Sequence, residues 1–355
     1  MIEHRYQLAR DILTSEGLDA LLIIGLPNMR YLSGFTGTDG VLFIGAEDIV
    51  FLTDSRYQGQ AEQQVKADRI LCYKNKLKAI GDLLLELGVE RVGFEADIVS
   101  VALLEDLKMQ PPSTNWVALT TQLQSLRSLK SAVEIQYIKK AADLNNQAFE
   151  SIVPFIQEGI SEKAIALELE FALKRLGGEA NAFDFIVASG PRGALPHGVA
   201  SEKKLAYGEL VTIDFGTRVE GYHSDETVTL AIGEIDRNLR QIFDIVLEAH
   251  DSAVAAARPG LALVDLDAIA RDFIELKGYG AYFGHGLGHG VGLEIHEYPG
   301  VSPRSETSIS EGMVFTIEPG IYLPNVGGVR IEDTIVITAD GCELLTSIPK
   351  HFRQL

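Results

Sequence analysis

The sequence predicts an α+β protein in two parts. A smaller α/β domain spans residues 1–125, and a larger domain over 126–355 combines antiparallel sheet with flanking helices. Two observations carry this. Short β-rich apolar runs alternate with helical patterns through the first part, and after a breaker the texture changes to long amphipathic helices and then long strands. A third bounds it: 355 residues suffice for two ordinary domains, and 46% apolar residues is a globular composition.

"MIEHRYQLARDILTSEG" (1–17) is an amphipathic helix with charges along its length, so it is no secretion signal. "DALLIIG" (19–25), "GVLFIGA" (40–46), "DIVFLTD" (48–54) and "RVGFEA" (91–96) read as strands; "KAIGDLLLELG" (78–88) and "VALLEDLKM" (101–109) read as helices. "QPPSTN" (110–115) breaks the chain before a last short strand, "WVALT". Residues 131–156 form one long helical pattern, and 161–177 a shorter one opened by Ser161 with an acid in its first turn. Beyond residue 180, strands alternate with helices over 237–257 and 264–278.

Net charge is −19, from 50 acidic and 31 basic residues, which disfavours nucleic acid and anionic membrane as partners. No apolar run reaches the roughly 18 residues of a membrane span. Cys72 and Cys342 form no CxxC pair, so a disulfide framework or thiolate metal site is not expected and a reducing cytoplasm is the simplest location.

Chemistry enters with two acid-bearing hairpins. In "LVTIDFGTRVEGYHSDETVTLAIG" (210–233), two β-branched runs flank "TRVEG". A turn centred between Val219 and Glu220 sets Asp214 opposite Asp225, with Cβ atoms about 5 Å apart. A bulge or another register would break that pairing. In "MVFTIEPGIYLPNVGGVRIEDTIVIT" (313–338), a turn centred on Asn325 makes Glu318 and Glu332 symmetric. Opposed like charges are destabilising, so two such pairs ask for cations or shared protons.

Between the hairpins lies "GHGLGHGVGLEIHE" (284–297), three histidines and five glycines in fourteen positions. Alone it also reads as a flexible loop with exposed histidines. With the acids it supplies an imidazole. Asp214, Asp225, His289, Glu318 and Glu332 suit a two-metal site with ions about 3.5–4 Å apart. Oxygen-dominated ligation with one imidazole favours manganese, cobalt, iron or zinc. The glycines are expected to allow close backbone approach and positive φ angles. No GxGxxG, P-loop or HExxH motif is present.

These stretches, with "ASGPRGALPHG" (188–198), "FTIEPGIY" and "GGVRIEDT", resemble the pita-bread metallopeptidases, and "YLSGFTGTDG" and "TDSRY" resemble the non-catalytic domain of prolidases and aminopeptidases P. The resemblance covers nearly the whole chain. It implies a pita-bread catalytic domain, two divalent ions, manganese or cobalt before zinc or iron, and a homodimer. It places the ligands on the same five residues, the substrate-binding or proton-relaying loop histidine on His197, and further site histidines on His285 and His296. Arg330 falls where an arginine orients a metal-bound carboxylate, and Phe183 and Ile295 where the proline pocket is lined. There are departures. "SDETVT" has Val228, and "HEYPG" has Gly300, where many relatives carry arginine, and the second weakens strict dipeptide specificity.

The implied activity removes the first residue of proline-containing Xaa-Pro peptides. A hydroxide bridging the metals attacks, Glu318 moves the proton, and His197 or His296 stabilises the oxyanion. The alternatives are a metal-independent creatinase-like hydrolase, a non-catalytic peptide-binding relative, and a methionine aminopeptidase, which would not need the first 120 or so residues. His4, His223, His250 and His351 are read as surface or satisfied residues. Asp39, Asp54 and Arg56 are read as turn or cap residues, with contact to a partner subunit's site as the alternative.

Overall fold

The computed structural model describes residues 2–111 and 113–355; Met1, where the sequence reading begins its first helix, and Pro112 of the expected breaker lie outside them. The chain forms two compact units, residues 1–127 and 128–355. Among the described residues no helix is long and apolar enough to cross a membrane.

The first unit is a six-stranded mixed sheet in the order Arg69–Cys72, Ile49–Thr53, Val41–Gly45, Ala20–Ile23, Arg91–Glu95, Asn115–Leu119. The central strands are fully buried, as their unbroken apolar runs require. Among the elements that the sequence pattern does not announce are a strand and a helix. Arg69–Cys72 is a four-residue, half-exposed edge strand. Leu26–Ser33 is a short helix whose entry is held by the buried Glu95, which accepts from Ile24 N, Gly25 N and Asn28 Nδ2 at 2.6–2.8 Å. The turn role of Asp54 is met, since its Oδ1 accepts from Arg56 N at 2.8 Å.

The second unit repeats one plan twice. Helices Ala132–Ile152 and Glu162–Arg175 pack on a three-stranded antiparallel sheet of Ile186–Ser189, Glu209–Phe215 and Glu226–Ile232. Helices Arg237–Ala256 and Leu263–Leu276 pack on a five-stranded antiparallel sheet in the order Glu297–Val301, Gly288–Gly290, Val314–Ile317, Asp333–Ile337, Cys342–Leu344. The ribbon Gly320–Leu323/Gly327–Arg330 extends the second hairpin. Ser131 and Glu134 form a capping box that starts the long helix.

The hairpin registers differ in outcome. In the second, Gly320 pairs with Arg330 and Ile317 with Asp333, so Glu318 and Glu332 occupy matching places about Asn325, whose φ is 63°. In the first, Asp214 pairs with Thr227, not with Asp225. The turn is one residue later than the sequence implies, at Glu220-Gly221, both with positive φ (48° and 71°), as a two-residue type I′ connection demands. A one-residue shift of the centre moves pairing by two, which preserves the face. Asp225 therefore stays on the side of Asp214, one diagonal away.

Candidate active site

All five proposed metal ligands stand at strand ends or on short strands of the second unit. Asp214 is near the end of Glu209–Phe215, and Asp225 immediately precedes Glu226–Ile232. Glu318 follows Val314–Ile317, Glu332 precedes Asp333–Ile337, and His289 is the middle of Gly288–Gly290. They line one cavity of about 440 Å³ together with His197, His285, His296, Phe183, Ile295 and Arg330. Every site residue expected from the sequence is among its walls.

The donor set fits a divalent cation on three observations. One oxygen of Asp225, one of Glu332 and a ring nitrogen of His289 lie within 4.8 Å of one another. The His289 Nδ1 faces the Gly290 carbonyl at 3.1 Å, while Nε2 is turned to Asp225 Oδ2 (3.5 Å) and Glu318 Oε1 (3.4 Å). Asp214 Oδ1 is buried with no hydrogen-bond partner, an acceptor awaiting a positive charge. The electrostatics agree. Burial, then the charges of Glu332, Asp214 and Glu318, drives the Asp225 carboxyl far above its usual range. Burial, then Glu318 and Asp214, does the same to Glu332. Burial carries Glu318 to about 8, with Asp214 adding and Arg330 opposing. Burial and then His296 push His289 down to about 4, so its imidazole is neutral and able to ligate.

Arg330 organises the floor. Its Nη2 donates to Asp214 Oδ2 at 2.6 Å, and its Nη1 to Tyr322 Oη at 2.9 Å and to the Pro196 carbonyl at 3.2 Å. Because the tyrosine hydroxyl accepts from Arg330, its single proton points to His285 Nε2, 2.9 Å away. His285 is thereby fixed as a neutral acceptor, and burial holds its pKa down at about 4. His296 stacks edge-on to His289, with centroids 4.2 Å apart. His197 is exposed at the rim, next to the carbonyl that Arg330 grips. Phe183, Ile186, Val199 and Ile295 supply an apolar side to the cavity.

The glycines of 284–292 serve closeness, not unusual torsion: none has a positive φ, contrary to the sequence expectation. A Cβ at Gly288 would stand 1.9 Å from the Thr316 carbonyl oxygen, and one at Gly290 2.7 Å from that of Glu297. Neighbouring strands press on His289 from both sides, which leaves no room for side chains beside it.

Several supporting residues were not anticipated. Tyr322 lies two alternations beyond Glu318, so the period of two in "EPGIY" does place it on the same face. Thr227 Oγ1 donates to Glu332 Oε2 at 2.6 Å, and Thr316 Oγ1 to Glu318 Oε1 at 3.2 Å. Buried Glu162 accepts from Ser189, Arg192 and Ser201 and so clamps both arms of the loop carrying His197. Asp267 and Arg271 pair within Leu263–Leu276, and Arg271 donates to the carbonyls of Phe283 and His285. Apart from the local Asp267–Arg271 pair, these last partners lie 12 to 39 residues apart, beyond any local pattern. His223 faces the Gly292 carbonyl and His250 Nδ1 faces Asp251, with His250 Nε2 3.2 Å from Asp333 Oδ2, while His4 and His351 are exposed.

Residues 136–339 match the model of metallopeptidase family M24, and residues 5–129 that of the creatinase/prolidase N-terminal domain. The Xaa-Pro dipeptidase of Pyrococcus horikoshii is 39% identical over 344 residues, 96% of each chain. Among solved structures, an Xaa-Pro dipeptidase from Bacillus anthracis superimposes with a TM-score of 0.98 at 41% identity over 100% of both chains. An X-Pro aminopeptidase from Thermotoga maritima does so with a TM-score of 0.88 at 37% identity, over 96% of this chain and 98% of that one.

Proposed function

The chain belongs to metallopeptidase family M24, its second unit having the pita-bread catalytic fold, and from that premise we propose that it hydrolyses the bond before proline in peptides beginning Xaa-Pro. Two divalent cations would be held by Asp214, Asp225, His289, Glu318 and Glu332. One observation carries this reading: all five donors line a single cavity whose other side is apolar. The completeness of the acid set speaks against a metal-independent creatinase-like hydrolase and against a non-catalytic relative.

When bound, the cations supply a water acidic near neutral pH and a polarised carbonyl. The chain's own groups do the rest. Glu318 accepts the water's proton and returns it to the proline nitrogen as the C–O bond forms and the C–N bond breaks. His197 and His296 donate to the carbonyl oxygen as it gains charge. Arg330 keeps Asp214 aimed, and Phe183 and Ile295 enclose the proline ring. The substrate's free amine lies against the acidic side of the site, which limits cleavage to one residue. The family resemblance puts manganese or cobalt before zinc or iron, and the oxygen-rich donor set suits any of the four.

Substrate length turns on the exit side. Gly300 is the cross-strand partner of His289, and a Cβ there would meet open space. Arg304 is exposed and outside the cavity wall. With no guanidinium to clasp a free carboxylate after proline, extended peptides are cleaved at least as well as dipeptides. We further propose a cytoplasmic homodimer; both cysteines are free, as a reducing compartment allows.

The test is chelator-stripped protein titrated with manganese or cobalt, read as kcat/KM on an Xaa-Pro dipeptide, its two-residue extension and a methionyl peptide. Turnover should vanish on stripping and return near two ions per chain. Full activity without metal ends the two-metal reading, and turnover of the methionyl peptide alone ends the prolyl one.

A further inference from the structure

Two of the candidate ligands, Asp225 and Glu332, are each followed by a second buried acid, Glu226 and Asp333. Successive side chains of an extended chain point to opposite faces. Asp225 and Glu332 face the active-site cavity; Asp333 instead lines a separate cavity of about 520 Å³ with His250 and Lys350. Lys350 joins the two rear acids. Its Nζ lies 2.5 Å from Glu226 Oε1 and 3.3 Å from Asp333 Oδ1, and the three side chains are 7%, 0% and 3% exposed. Around them, Thr346 Oγ1 donates to Asp333 Oδ1 at 2.5 Å, His250 Nε2 stands 3.2 Å from Asp333 Oδ2, and Ile348 N donates to Glu226 Oε1 at 3.0 Å. The segment bearing Lys350 is stitched to strand Glu226–Ile232 through Ala231 N to Arg353 O and Leu355 N to Ala231 O.

We propose that Lys350 is a positioning residue for the metal centre: by gripping Glu226 and Asp333 behind the sheet, it fixes the direction in which Asp225 and Glu332 face the cavity. The proposal rests on the reading that those two acids hold cations. One comes from each hairpin, and no hydrogen bond between their side chains is needed if a common cation behind the sheet sets both. Removal of the ammonium leaves two carboxylates in an apolar interior. They relieve themselves by rotating toward water. Rotation turns the shared peptide units, and the ligand on the other face turns with them. Of the two rear acids His250 stands beside Asp333 only, and it cannot replace Lys350 at Glu226.

The experiment uses chelator-stripped full-length protein as wild type, Lys350→Met and Lys350→Arg. Manganese binding is measured by titration calorimetry, and the melting temperature of each stripped protein is recorded separately. The wild-type titration alone decides whether this chain binds cations; the ratio of variant to wild-type Kd decides the role of Lys350. Lys350→Met should weaken binding about 10–100-fold, or lose one of the two ions, well below its melting temperature, as loss of a group supporting a ligand does. Lys350→Arg, whose fork reaches both acids, should bind like wild type. If Lys350→Met does not fold, Glu226→Gln takes its place, since it keeps shape and the Lys350–Asp333 contact, and binding should weaken by about tenfold, the low end for a supporting group. A lower melting temperature with unchanged Kd and stoichiometry, in whichever variant folds, overturns the proposal and leaves Lys350 a stabilising ion pair.

Discussion

Arg330→Met tests whether the arginine acts on the site as a charge or merely as packing. The side chain is almost fully buried, its guanidinium 2.6 Å from Asp214 Oδ2, with both partners little exposed. Methionine fills much of the volume and removes the charge. Breaking one side of a buried ion pair costs about 3–5 kcal/mol, because the remaining charge is stranded. At roughly 2–4 °C per kcal/mol for a domain of this size, stripped protein should melt about 6–20 °C below wild type. Saturating manganese changes the comparison. Cations beside Asp214 replace the missing positive charge, and the residual deficit is that of the Tyr322 and Pro196 contacts, about 1–3 kcal/mol. The gap in melting temperature should therefore close by about half or more on adding metal. Calorimetric scans of both proteins, stripped and loaded, measure it. An equal gap in the two states would refute the argument and reduce Arg330 to a space-filling role.

His197→Ala and His296→Ala should keep both ions while losing most turnover, since neither ring is in the proposed donor set; elemental analysis beside kcat separates the two, and a variant that loses metal moves its histidine among the ligands. Stripped protein should grow less stable as pH rises from about 4.5 to about 8, because folded Glu318 holds its proton to about 8 and the unfolded chain releases it earlier. Metal must displace that proton, so manganese affinity should climb with pH up to about 8, and titrations in buffers of different ionisation enthalpy should report proton release at pH 7; a pH-independent affinity contradicts this. Gly300→Arg places a guanidinium in open space across from His289, and should lower KM for an Xaa-Pro dipeptide by about tenfold relative to its extended form, about one charge-assisted contact. An unchanged ratio would mean that the exit side lies elsewhere.

The acids were legible in the sequence because strand alternation and a turn centre are local. Asn325 tolerates the left-handed region, so the second hairpin centre could be read to the residue. The first could not: Glu220 takes a positive φ unusual for its type, and the pairing slid to Thr227. Glycine signalled close backbone approach but not the torsion, which the strands on either side of His289 decide. Edge strand Arg69–Cys72 carries too few apolar residues to announce itself. Glu162 and Lys350 are an acid and a base, one opening a helix and one in a loop, whose partners are remote in sequence, and without the fold they look like ordinary surface charges.

The repeated plan of the second unit has a consequence in time. The first helix pair and sheet contribute Asp214 and Asp225; Glu318, Arg330 and Glu332 belong to the second. Roughly 100 residues separate Asp225 from Glu332, so at about 5–20 residues per second a ribosome makes the first acids some 5–20 seconds before the last. Over roughly the first half of that interval the nascent chain bears only two of the five proposed ligands, no guanidinium to steady Asp214, and none of the imidazoles of the glycine-rich run. A protease whose cutting edge is split between halves made in succession is blunt while it is being born, and sharpens only when its second half closes on the first.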